Sequence, residues 1–175
     1  PQSLAADVAV LRGLVAAVVR PDGRTPLIVL GHGDGAVAAL AAVEEGLPVD
    51  GLILSAPDAQ AASGRDPWRR AAVDHWPART DPARRWKRSL HSMRADLDDG
   101  GSPATPTLVL SPGAAEPPLC RRLPACRSVQ FPGAHEALHL ERDRWRAPWL
   151  AAALRFVEDR VTTQRARQTA PIRLP

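Results

Sequence analysis

The chain alternates between helix-like segments and short apolar runs. Residues 3–20 place apolar side chains at helical spacing, and residues 36–45 form an alanine-rich helical run that ends before Gly46 and Pro48. Residues 146–161 predict a last amphipathic helix. Four apolar runs have the length and composition of buried strands: 26–31, 49–57, 105–113 and 126–134. This alternation predicts an α/β fold with a mostly parallel sheet of about four strands and flanking helices.

Two segments interrupt this alternation. Residues 57–104 lack a strand pattern and contain short helix-like runs. They predict a helical cap inserted into a core that residues 1–56 and 105–161 form. Residues 162–175 have no acidic side chain and little apolar content, which predicts a disordered tail.

The composition is typical of a single cytoplasmic domain. The chain has 175 residues, of which 45% are hydrophobic, so it can bury a core. Its net charge of +4 would suit an anionic partner, but only 4% of residues are aromatic and none are interleaved with basic residues as a stacking platform. We therefore expect no nucleic-acid partner. No apolar run approaches the roughly 18 residues of a membrane span, and no signal peptide opens the chain.

The two cysteines, Cys120 and Cys126, flank the sequence RRLPA. This spacing matches neither a redox CxxC pair nor a usual zinc site, and the chain has no second pair of thiol ligands. The sequence therefore predicts two reduced thiols. We expect neither a metal nor another cofactor.

The stretch LIVLGHGDGAVAAL places a glycine-rich turn between a strand and a helix. In such a setting G-x-S-x-G forms a nucleophile elbow, whose central residue has a positive φ and whose neighbours two places away must be small. Gly31 and Gly35 meet this demand about Gly33. Centring the turn on Asp34 would instead put His32 in a tight position. The spacing therefore predicts Gly33 at the centre of the elbow.

Four segments together resemble an α/β-hydrolase, and within that fold the lysophospholipase and monoacylglycerol-lipase-like group, also called serine aminopeptidase or "hydrolase 4" domains. They occur in the family's order and are PLIVLGHGDGAVAAL, VDGLILSAP, TPTLVLSPGAAE and FPGAHEALHLERDRWRAPWLAAALRFV. The resemblance implies a partial α/β-hydrolase fold. It also implies an ancestral hydrolysis of carboxylic esters by serine, histidine and aspartate, with a lipid or small ester as the ligand.

The resemblance also assigns catalytic positions to this chain. The family's nucleophilic serine falls on Gly33, which has no side chain and cannot form an acyl-enzyme. Its acid falls on or near Ala115, which leaves Glu116 as the adjacent carboxylate. Its general base maps to His135, although an ungapped comparison places Glu136 there. We therefore expect an α/β-hydrolase-like protein that is catalytically impaired.

Other candidates lie around the elbow and in the cap. The resemblance assigns one oxyanion donor to the backbone N–H of Asp34, whose carboxylate comes one place too late to be an aspartate nucleophile. His32 precedes the elbow centre and is interpreted as a packing or site-lining residue, and His139 as a surface or core histidine. Three cap tryptophans either line an acyl pocket or pack small helices: Trp68, Trp76 and Trp86.

The family's earlier strands, and the loop with its second oxyanion donor, have no counterpart in residues 1–25. The strand at 26–31 is therefore expected to have an open edge, which a partner or upstream chain covers, and a fragment of a longer protein would show the same pattern. Three alternatives stay open: an active ester hydrolase that uses His135 with water or is completed by a partner, a non-catalytic lipid- or partner-binding domain, and a chain with no dedicated function.

Overall fold

A computed structural model describes residues 4–19, 25–57, 104–135 and 137–169. Its elements in chain order are α1 (Leu4–Leu14) followed by a π-helical turn (Val15–Val19), β1 (Ile28–His32), α2 (Asp34–Glu44), β2 (Gly51–Ser55), β3 (Thr107–Ser111), a 3₁₀ turn (Pro118–Arg121), β4 (Cys126–Gln130), a second 3₁₀ turn (Leu138–Leu140) and α3 (Asp143–Thr169). The predicted α/β fold is confirmed.

The four strands form one parallel sheet in the order β1-β2-β3-β4. Every residue of β2 is buried, as is every residue of β3 except the last. Strands covered on both faces need apolar side chains at consecutive positions, which is why both read as continuous apolar runs rather than alternating ones. Within the part of the chain that the structure describes, β1 lies at an edge of the sheet, as expected.

Helices cover both faces of the sheet. Side chains alternate along β2, so Leu52 and Leu54 pack with α1 and α2, whereas Ile53 packs with α3 on the opposite face. Leu40 of α2 and Phe156 of α3 belong to these two separate apolar clusters. The core is therefore divided by the sheet into two layers, as parallel α/β folds require.

The last helix is longer than its sequence pattern predicted. It continues through residues 162–169, so the prediction of a disordered tail is wrong for this part. No glycine or proline occurs between Val161 and Ala170, and the polar side chains there leave the helix largely exposed. Despite this length, none of the helices in the described ranges is both long and apolar enough to cross a membrane.

Of the predicted cap, residues 58–103 lie outside the described residues.

The two cysteines form a disulfide, so the prediction of reduced thiols is wrong. The 3₁₀ turn Pro118–Arg121 carries buried Cys120 to the start of β4, where Cys126 is the first strand residue. Their Cα atoms lie 5.3 Å apart, within the range that a disulfide requires. Spacing along the sequence did not indicate this pairing, because it depends on how tightly the intervening loop turns.

Candidate functional site

The predicted elbow is present between β1 and α2. Gly33 has φ of +54° and ψ of −122° and immediately precedes the first residue of α2. Its N–H donates to the carbonyl of Ser55 at 2.9 Å, and its carbonyl accepts from the N–H of Ala36 at 3.0 Å. These bonds hold the turn at the carboxyl end of the strands, which is where ligands bind in open α/β sheets. Gly33 has no side chain to present there.

The three glycines of the elbow have different structural roles. A Cβ atom added to Gly31 would lie 2.5 Å from the Cα of Ala36, so this position requires glycine for the close passage of strand and helix. At Gly33 the backbone has a positive φ, which favours glycine, although an added Cβ would have no atom within 4 Å. A Cβ on Gly35 would also meet open space among the described residues. The crowding predicted at both glycines is therefore confirmed at Gly31. At Gly35 the prediction is wrong, because a side chain there would have space.

Beside the elbow, a buried hydroxyl connects three elements. Ser55 at the end of β2 is fully buried. Its Oγ accepts a hydrogen bond from Nε1 of Trp149 at 3.1 Å and lies 3.1 Å from Nδ1 of His32. Because an indole N–H only donates, the Ser55 hydroxyl is free to donate its own proton to an unprotonated Nδ1. This network fixes His32 and Trp149 beneath the elbow.

His139 lies against His32, a neighbour that sequence reasoning did not identify. The two imidazole rings meet edge to face with centroids 4.5 Å apart, and the Trp149 ring is 6.3 Å from that of His139. Burial lowers the pKa of His32 below its ordinary value of 6.5, and the neighbouring His139 lowers it further. The neutral form of His32 is therefore favoured, which suits its hydrogen bond with Ser55.

This pKa shift predicts that stability falls as the pH drops below 6.5. The unfolded chain binds the His32 proton at a higher pH than the folded chain does, so acidification favours unfolding until the pH passes below the folded pKa. Urea unfolding at about pH 7.5 and about pH 5.5 should therefore show a smaller loss for His32→Asn, which cannot be protonated, than for the original chain. Equal losses in the two proteins would contradict this assignment.

The predicted base, His135, has a different carboxylate partner from the one expected. Both its backbone N–H and its ring Nδ1 bond to Oε1 of Glu141, at 2.6 and 2.7 Å. Glu116 is exposed after β3 and makes no hydrogen bond or ion pair within the described ranges. The pairing of His135 with Glu116 is therefore wrong, since the loop after β4 folds back on itself and supplies its own carboxylate.

Glu141 is a functional candidate that the sequence analysis missed. Desolvation raises its pKa, but hydrogen bonds from the backbone and ring of His135, the charge of that ring and a backbone bond from Arg142 together lower it. Glu141 is thus held ionised, while 77% of the His135 side chain is exposed. In the sequence, Glu141 is distinguished only by lying six residues after His135. Neither a helix nor a strand brings two side chains at that spacing into contact.

The structure describes only some of the remaining candidate residues. Asp34 is the first residue of α2, so its backbone N–H is among those that have no partner within the helix, as an oxyanion donor must be. Trp68, Trp76 and Trp86 lie outside the described residues. Within the ranges that the structure covers, no group of three or more His, Cys, Asp or Glu residues is arranged to hold a metal ion.

Comparison with solved structures identifies the fold. The chain matches a monoacylglycerol lipase from Paleococcus ferrophilus with a TM-score of 0.62 and 14% identity, over 91% of this chain and 76% of that one. It matches a monoglyceride lipase from Saccharomyces cerevisiae with a TM-score of 0.58 and 14% identity, over 88% and 67%. It also matches MGS-MChE2, an α/β hydrolase from a sediment metagenome of the Mar Chica lagoon, with a TM-score of 0.51 and 17% identity, over 86% and 71%.

The chain has an α/β-hydrolase fold. No protein-family model matches its sequence, and no curated protein matches it. At identities of 14–17% the α/β-hydrolase likeness establishes the fold alone. Because one fold hosts many activities, the chemistry has to be argued from the side chains around the elbow of this α/β-hydrolase-like protein.

Proposed function

We propose that this α/β-hydrolase-like protein resembles lysophospholipase and monoacylglycerol-lipase-type esterases in architecture but is catalytically impaired. The observation that carries the proposal is the conformation of Gly33. It occupies the centre of the strand-to-helix turn with a positive φ, in the position where a nucleophile would project, and it has no side chain. Covalent ester hydrolysis needs a nucleophilic atom at this point, and Gly33 supplies none.

The hydroxyl beside the elbow is a poor substitute for the absent nucleophile. Ser55 is fully buried, and its Oγ already bonds to Trp149 and lies in hydrogen-bonding distance of His32. An ester would have to displace the indole and reach into the core to meet this oxygen. Both contacts of Ser55 are therefore interpreted as structural: the bond from Trp149 holds α3 against the carboxyl end of the sheet, and the contact with His32 joins β2 to β1.

Loss of the nucleophile leaves ligand binding as the retained function, with a lipid or small ester as the ligand. The α/β-hydrolase fold and the N–H of Asp34, which has no partner within the helix, support this assignment, because a carbonyl oxygen could accept a hydrogen bond there. The cytoplasmic location expected from the sequence stays a prediction. The Cys120–Cys126 disulfide weighs against it, since the cytoplasm keeps most thiols reduced.

A second candidate function is ester hydrolysis by activated water. The contact that favours it is the 2.7 Å bond between Nδ1 of His135 and Oε1 of Glu141. A carboxylate that accepts from Nδ1–H leaves Nε2 as a free base, and the exposure of His135 gives water access to it. Such a dyad lacks a covalent nucleophile, so it would be insensitive to reagents that modify catalytic serines.

Labelling by a fluorophosphonate probe and turnover of a panel of short- and long-chain acyl esters distinguish the impaired protein from a hydrolase that uses activated water. We expect neither labelling nor turnover above buffer for the original chain. Labelling of Gly33→Ser, but not of the matched control Gly33→Ala, would show that the remaining site still activates a serine. Turnover by the original chain that His135→Ala abolishes would instead establish the water mechanism and contradict the proposed impairment.

Both elbow variants must be shown to fold before their activities are compared. Either side chain has to adopt the positive φ of Gly33, which costs about 1 kcal/mol or somewhat more, but nothing within 4 Å obstructs it. Gly33→Ser and Gly33→Ala should therefore melt at similar temperatures, both below the original chain. A Gly33→Ser protein that is more stable than the original chain would contradict the conformation assigned to the elbow.

A further inference from the structure

A cavity of about 340 Å³ lies at the amino ends of β2 and β3. The residues that precede these two strands form one wall, and the second half of α3 forms the other. None of the described residues that line the cavity belongs to β1 or to the elbow, which lies at the opposite end of the strands. Its volume is at the lower end of the range for sites that bind small molecules.

Arg160 of α3 lines this cavity and is held in place by its packing. Its stem crosses the start of β2 at Gly51, where an added Cβ would lie 3.1 Å from the Cγ of Arg160. Its guanidinium carbon lies 5.6 Å from the ring centroid of Phe156, which is buried one turn earlier on the same helix. Packing of the stem and the cation–π contact therefore restrict where the guanidinium group can lie.

One nitrogen of this guanidinium group has no partner. The Nε of Arg160 is buried, and it has no hydrogen-bond partner among the described residues. Buried donors are almost always paired, because an unpaired donor has lost its bonds to water and has gained none in the protein. Neither Arg160 nor Arg167, which also lines the cavity, forms an ion pair within the described ranges. Both positive charges are therefore available to a ligand.

The charges around the cavity favour an anion. Arg160, Thr163 and Arg167 lie at a spacing of three and then four residues, which places them on one face of α3. Asp50 is the one acidic residue among the described residues of the lining, and its carboxylate accepts a hydrogen bond from the N–H of Leu27 at 2.8 Å. Two arginines against one aspartate leave an excess of one positive charge.

We propose that this cavity binds a small organic carboxylate through Arg160 and Arg167. The Nε–H of a guanidinium group and its neighbouring Nη–H are parallel donors, and their spacing matches the two oxygens of a carboxylate. A single negative charge equals the excess positive charge of the lining, whereas a phosphate dianion would exceed it and would be repelled by Asp50. Val49 and Pro106 give the wall an apolar surface for the hydrocarbon part of the ligand.

Titration calorimetry of the full 175-residue chain with benzoate, at constant ionic strength, tests the site. We expect a dissociation constant of about 1 mM or lower. Arg160→Met keeps an unbranched stem against Gly51 but removes the guanidinium group, so it should weaken binding by about 10-fold or more. The matched control is Arg155→Met on the same helix, where the original arginine is exposed and does not line the cavity. This control should bind benzoate like the original chain.

A second variant and two further probes make the test specific. Arg167→Met changes an exposed residue near the end of α3, so the fold should be kept while benzoate binding weakens by about 3-fold or more. Benzamide has nearly the shape of benzoate without its charge and should not bind.

Four results would overturn the proposal. They are no binding of benzoate, equal binding by Arg160→Met, binding of benzamide as tight as that of benzoate, and binding of inorganic phosphate that depends on Arg160 and is tighter than that of benzoate. Benzoate bound at the elbow instead would give the second result, because Arg160 lies at the other end of the sheet.

Discussion

Replacing Gly31 with alanine should lower the free energy of unfolding by about 3 kcal/mol or more. The new Cβ would lie 2.5 Å from the Cα and 2.7 Å from the N of Ala36, both backbone atoms of α2. A flexible side chain could rotate away from such a contact, but a helix backbone has to move as a unit. Urea unfolding of Gly31→Ala, followed by circular dichroism, measures the loss directly.

Gly35→Ala is the matched control for this experiment. It adds the same methyl group four residues later, yet the added Cβ would have no described atom within 4 Å. Because Gly35 lies in the first turn of α2, alanine should leave stability unchanged or raise it by up to about 1 kcal/mol. Equal destabilisation by the two substitutions would show that the strand and helix do not pass as closely as the structure places them.

Reduction of the Cys120–Cys126 disulfide should lower the free energy of unfolding by about 2 kcal/mol. The cross-link closes a short loop between the 3₁₀ turn and β4, and opening it restores conformational freedom mainly to the unfolded chain. Urea unfolding with and without a thiol reductant measures the difference. Since the chain has only these two cysteines, the reductant has no other disulfide to act on.

Cys126→Ser separates the disulfide from other effects of the reductant. The variant should unfold at the lower stability of the reduced chain, and the reductant should then change nothing further. Two thiols that react with a maleimide in the folded, unreduced protein would contradict the disulfide. The original expectation of reduced cysteines would then be restored.

Much of the fold could be predicted because its signals are local. A strand buried on both faces must be apolar at consecutive positions, so GLILS and TLVLS identified the two central strands. The elbow was equally recognisable, since the positive φ at Gly33 favours glycine and the close backbone passage at Gly31 demands it. The end of α3 was missed because polar composition does not distinguish an exposed helix from a tail.

The candidate site was less predictable because its contacts join distant or irregular segments. Trp149 bonds to Ser55 across 94 residues of sequence, and only the packing of α3 on the sheet brings them together. His135 was identified, but its carboxylate was not, since Glu141 reaches it through a turn without regular periodicity. His139 likewise became a neighbour of His32 only through the fold of this loop.

The amino-acid sequence by itself determined the parallel α/β architecture and the absence of a nucleophile at Gly33, because burial patterns and residue identity are properties of the chain. Tertiary structure decided which polar groups meet. It paired His135 with Glu141, placed Ser55 beyond easy reach of a ligand and joined Cys120 to Cys126. These outcomes depend on distances between segments, which are set only when the helices pack on the sheet.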